Sequence, residues 1–133
     1  MRLWHQDLIQ HLPRQQLLGQ HRECCALRGA GWGRKHSVVN YVFTYGPNYL
    51  VAYHLLVMEE MKRRGYKPDP VWYNYNWRGS KLGETNDWAD KDIIEYLIGD
   101  YLMLEKPIYP EHNDNYLEEC LNNLKGKGIF LLS

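Results

Sequence analysis

Three stretches concentrate the side chains able to do chemistry. The first is Arg22-Glu23, preceded by His21, in the middle of a segment that reads as helix. A carboxylate there can stabilise developing positive charge or move a proton. The same pair on a helix surface is also an ordinary solvated ion pair. Arg14, Gln15, Arg22 and Arg28 fall near whole turns of that helix and give it a polar side. The second stretch is Arg34-Lys35-His36, which suits phosphate or a nucleic-acid groove, or simply a solvated loop. The third is the aromatic string Trp72-Tyr73-Asn74-Tyr75-Asn76-Trp77-Arg78. It could stack on bases or cover a helical core; Trp77 and Arg78 are the pair expected to be exposed. His21 with Cys24 or Cys25 has the spacing of two metal ligands on one helix face, and His5, His36, His54 and His112 could complete a zinc site. No C-x-x-C or H-E-x-x-H accompanies them, and a buried free cysteine is a common core residue. His54 lies on an apolar stripe and reads as a satisfied core histidine.

The elements that must position these groups are helical. Pro13 opens a helix running to Arg28, with Leu17, Leu18, Cys24, Cys25 and Leu27 at helical spacing, and Gly29, Gly31 and Gly33 end it. Asn40 to Tyr45 is β-branched and aromatic, cut short by Gly46-Pro47. From Pro47 to Arg64 an apolar stripe of Leu50, Val51, His54, Leu55, Val57, Met58 and Met61 predicts the firmest helix, with Lys62-Arg63-Arg64 in its last turn and Gly65 as stop. Residues 66–88 read as an extended aromatic loop. A third helix is expected from about Asp90 to Glu105, built on Ile93, Ile94, Leu97, Ile98, Tyr101 and Leu102. A fourth should run from Asn113 or Asp114 to Gly126, and the tail Ile129-Phe130-Leu131-Leu132 should tuck onto the body. The expected fold is all-α: one compact domain over residues 1–133, with about four helices and a long aromatic loop.

The 133 residues suffice for a core without staples. Three cysteines make no disulfide framework, and the first residues lack a secretory apolar stretch, so a cytoplasmic location is expected. No apolar run approaches a membrane span. Net charge is zero, which alone argues against nucleic acid. The zero is a cancellation, however. Residues 1–64 hold nine bases and four acids, whereas residues 65–133 hold seven bases and twelve acids. Any polyanion-binding face therefore belongs to the first half.

Taken together and in order, these stretches resemble the pyrimidine-dimer DNA glycosylase family, in particular a bacterial branch of it. The resemblance rests on an arginine at the N-terminus (Arg2), on Leu12-Pro13-Arg14-Gln15-Gln16-Leu17 followed by Arg22-Glu23, on Arg34-Lys35-His36, and on Tyr41 to Tyr66 with its Lys62-Arg63-Arg64-Gly65-Tyr66 ending. It covers residues 1–66, leaving 67–133 as the aromatic loop plus two further helices. The aromatic string resembles the family's DNA-contacting tail, displaced far from the C-terminus.

The resemblance implies a base-excision repair glycosylase with associated AP (β-elimination) lyase activity on damaged pyrimidines. Its nucleophile would be the N-terminal α-amine, acting through a Schiff base. It implies Met1 and Glu23 as catalytic residues, no metal and no cofactor. Arg2, Arg14, His21, Arg22, Arg28, Arg34, Lys35, His36, Trp77 and Arg78 are the candidates for contacting double-stranded DNA. Methionine aminopeptidases need a small second residue and Arg2 is bulky, so Met1 is expected to be retained and to supply the amine. One residue more then lies before the acid than in the processed family chain. The protein is expected to act as a monomer. Two other readings stand beside this one: a non-catalytic nucleic-acid-binding module on the same scaffold, and a metal-dependent hydrolase using His21, Cys24 and other histidines.

Overall fold

A computed structural model describes residues 2–35 and 39–131. Five helices follow one another: α1 (Arg14–Arg28), α2 (Asn40–Tyr45), α3 (Pro47–Arg63), α4 (Lys91–Leu104) and α5 (Asp114–Gly126). Two single turns of 3₁₀ helix, Gln6–Leu8 and Pro70–Tyr73, punctuate the connections. Among the described residues the only β pairing is one isolated bridge, Trp77 with Glu84. The all-helical expectation holds, and the aromatic run 40–45 joins it as a short helix.

α3 is the axle, with α1, α2 and α4 packed against it. Pro47 starts it at a position that needs no N–H donor, after Gly46 at φ 89°. Leu50, Val51, Tyr53, His54, Val57 and Met58 are buried along it. Beyond its end Gly65 takes φ 87°, a left-handed stop that a side chain would strain. The basic last turn is engaged rather than free. Buried Glu60 binds Arg63 and Arg64, and Arg64 donates to Leu12 O (2.7 Å), tying the end of α3 to the segment before α1. Asp90 caps α4 through Asp92 N and Ile93 N, and Asn113 caps α5 through Tyr116 N.

Two expectations about packing need correcting. α4 packs mainly against α3: Ile94 is buried there, while Ile93 and Leu102, expected in the core, are 43% and 70% exposed. In the tail, Ile129 and Leu131 pack on the core but Phe130 is 73% exposed; Leu132 lies outside the described residues. No helix is long and apolar enough to cross a membrane.

Candidate active site

The acid of α1 meets the start of the chain. Residues 2–5 run extended beside α1, and the Arg2 backbone N–H donates to Glu23 Oε2 at 3.1 Å. One turn earlier on the same helix, Gln20 is 1% exposed, and its amide faces the same segment. Its Nε2 donates to Arg2 O (3.0 Å), and its Oε1 accepts from Trp4 N (2.6 Å). The Tyr53 hydroxyl from α3 lies 3.0 Å from Gln20 Oε1 and donates to Trp4 O. From α5, Tyr116 OH donates to Leu3 O. Glu23 is half-buried, and no hydrogen bond from a described residue reaches its Oε1. One carboxylate oxygen is thus held by the chain start.

The candidate basic contacts divide. Arg14, Arg22, Arg34 and Lys35 are exposed; Arg14 stacks on Tyr66, and Arg34 Nε bonds Ala30 O. Their guanidinium and ammonium groups are available to an anion. The Arg2 side chain turns toward α5, with Nη1 3.7 Å from Glu119 Oε1. Met1 and His36 lie outside the described residues.

Arg28 is a correction. Expected on the polar side, it is 0% exposed. Nη1 donates to Trp72 O (2.9 Å) and lies 3.0 Å from His54 Nδ1, while Nη2 donates to Asn74 O (2.8 Å) and Trp77 O (3.0 Å). The guanidinium also sits 5.1 Å from the Trp72 ring. It pins the aromatic loop to α1, and its burial keeps it out of reach of a phosphate. Burial without a carboxylate partner lowers its pKa to about 10. Trp77 and Arg78 are likewise half-buried rather than exposed. Arg78 stacks on Trp88 and donates through Nε to Arg28 O (2.8 Å), satisfying a carbonyl at the end of α1 that has no helical partner. The aromatic string therefore covers the core end of α1.

His21, Cys25 and His54 bring their ligand atoms within 4.8 Å of one another. Cys24, the other thiol considered for a metal, is fully buried elsewhere in the core. The hydrogen bonds decide what the triad can do. A guanidinium has no acceptor, so His54 Nδ1 must accept from Arg28. The neutral His54 ring then carries its proton on Nε2 and donates to His21 Nδ1 at 2.8 Å. In this state His54 has no lone pair left for a metal, and a buried cation stands beside it. Burial, and then the nearby Arg28 charge, hold His54 well below the usual imidazole range; burial pushes Cys25 up to about 12. The triad is a neutral chain of hydrogen bonds.

A family model described as pyrimidine dimer DNA glycosylase matches residues 1–74. The chain belongs to that family. Comparison with curated proteins and with solved structures gives no match. The glycosylase-family segment spans Glu23, Gln20, Arg14, Arg22, Arg34 and Lys35, and it includes α3 with Tyr53. Tyr116 and Glu119, which reach the first residues from α5, lie beyond it. Gln20, Tyr53 and Tyr116 are site residues the sequence reading missed. The one available signal was a glutamine and a tyrosine, each on the buried side of its helix, where a polar atom must find a partner.

Proposed function

We propose that this protein removes damaged pyrimidines from duplex DNA and then cleaves the strand by β-elimination, using the amine of residue 1 as nucleophile and Glu23 as its carboxylate partner. The observation that carries this reading is the Arg2 N–H bond to Glu23 Oε2, 3.1 Å long. The first residue's amine is three bonds from that nitrogen, so connectivity keeps it within about 4 Å of Arg2 N and at most about 7 Å from Glu23 Oε2.

An α-amine has a pKa of about 7.7–8.0, so a useful fraction is unprotonated near neutrality, unlike lysine at about 10.4. Its lone pair attacks C1′ of the damaged nucleotide, the glycosidic bond breaks and the base leaves with a proton. Ring opening gives an imine between amine and sugar, and loss of a C2′ proton expels the 3′ phosphate. Glu23 stabilises the cationic sugar through its carboxylate and takes part in the proton transfers. Arg14, Arg22, Arg34 and Lys35 would hold phosphates. Reaching C1′ requires a kinked or flipped nucleotide, which a damaged base pair concedes at lower cost.

Borohydride added during incubation with abasic or ultraviolet-treated duplex should trap a covalent protein–DNA adduct through residue 1. Glu23→Gln keeps an acceptor for Arg2 N–H, so it should bind duplex normally and turn over far more slowly. Salt-sensitive binding without an adduct, on protein whose intact mass shows a free N-terminus, would leave the binding-module reading in its place.

A further inference from the structure

Resting on that reading, we propose that Gln20 is a positioning residue, the pin that sets the register of the N-terminal strand and so the separation of the amine from Glu23. In an extended chain the N–H and C=O of one residue point to one side, and those of the next residue to the other. Residues 2–4 follow this rule against side chains instead of a neighbouring strand. Arg2 N, Arg2 O, Trp4 N and Trp4 O go to Glu23, Gln20, Gln20 and Tyr53, and Leu3 O, on the other edge, goes to Tyr116.

Gln20 is the only one of these side chains that bonds both residue 2 and residue 4, with a donor and an acceptor that cannot be exchanged. Turning the amide over would set its N–H₂ against Trp4 N–H and its oxygen against Arg2 O, losing both bonds. The remaining Nε2 hydrogen lies toward Glu23 Oε2, at 3.5 Å. One buried amide thereby fixes strand and acid relative to each other. A slip by one residue would present Leu3 to Gln20, turn the Leu3 side chain out of the core, and move the amine by about 3.3 Å. The register is therefore all-or-none.

Gln20→Leu is nearly isosteric and removes both bonds. Hydrogen exchange should show selective loss of protection at the Arg2 and Trp4 amides, with α3 amides unchanged. Single-turnover borohydride trapping on abasic duplex should slow about 10- to 100-fold, the cost of misplacing a reacting group by an ångström or more. Affinity for a duplex carrying an uncleavable abasic analogue should hold. A second variant leaves the core untouched: a lysine inserted between Met1 and Arg2 lengthens the chain ahead of the pinned residues, and trapping should fall to a similar degree. Unchanged amide protection in Gln20→Leu, or wild-type trapping by the insertion variant, would overturn the pin. If the wild-type protein itself traps nothing, the catalytic reading fails, and the exchange measurement still decides whether Gln20 holds the strand.

Discussion

Stability should fall in acid because buried histidines resist protonation, and His112 should carry a separable share of that loss beside His54. His112 is 2% exposed, between α4 and α5, in a cage of His5, Tyr41, Tyr53, Tyr109 and Tyr116. Its Nδ1 accepts Gln6 N–H at 3.1 Å, so the neutral ring carries its proton on Nε2, 3.0 Å from Tyr41 OH. A second proton would have to sit on Nδ1, against a backbone donor, in a buried site. Burial, with a smaller contribution from the His5 charge, lowers its pKa from 6.5 to about 3. The unfolded chain therefore binds the proton first, and folded stability is present above pH 6.5 and lost as pH falls toward 3. At about 1.4 kcal/mol per pKa unit the whole window is worth about 5 kcal/mol, of which about 2 kcal/mol is gone by pH 5. That is a large fraction of a typical domain's stability. Urea denaturation between pH 7 and pH 5 measures it, with His112→Asn as the comparison. The variant loses ring packing at every pH, so the diagnostic is slope. Wild-type stability should fall over this range by about 2 kcal/mol more than that of the variant. Parallel curves would show that His112 is not the group that resists protonation.

Two further expectations concern arginines that look alike in sequence. Arg28→Met keeps the stem's volume but orphans the carbonyls of Trp72, Asn74 and Trp77. It should cost roughly 3 kcal/mol in urea denaturation, at about 1–2 kcal/mol per buried acceptor less the relief of an unpaired buried cation; wild-type stability would contradict the strut role. Arg22→Ala, at an exposed position, should leave stability alone and weaken duplex binding regardless of sequence. It should reduce the slope of log affinity against log salt by about 0.9, and an unchanged slope would mean that Arg22 meets no phosphate.

Those two residues also mark how far sequence reading reaches. Arg22 and Arg28 are both basic, on one helix, at positions a polar face could use. Periodicity cannot separate them, because what distinguishes them is a loop that returns from 44 or more positions away to cover the end of α1. The same holds for Trp77 and Arg78: composition left stacking on DNA and packing on the protein both open, and the carbonyls at the end of α1 decide for packing. Ile93 and Leu102 obeyed the helical period yet face solvent, since a period gives the apolar side of a helix but not how many neighbours exist to bury it.

Read by itself, the sequence determined the helical class, the bounds of α1, α3, α4 and α5 to within a residue or two, and the family resemblance carried by its first half. These follow from local physics: apolar repeats at 3.6 residues, cap candidates at Asp87 or Asp90 and at Asn113 or Asp114, and a glycine stop at Gly65. It also placed the basic surplus in that first half, so zero net charge was no argument against DNA. Only the tertiary structure decided that Glu23 meets the start of the chain, that Gln20 and Tyr53 hold that strand, and that Tyr116 of the acidic second half closes its other edge. Those contacts join residues 16 to 113 positions apart. A backbone strand that lacks a sheet takes its partners from whatever side chains the packed helices bring beside it, and no local pattern records which those are.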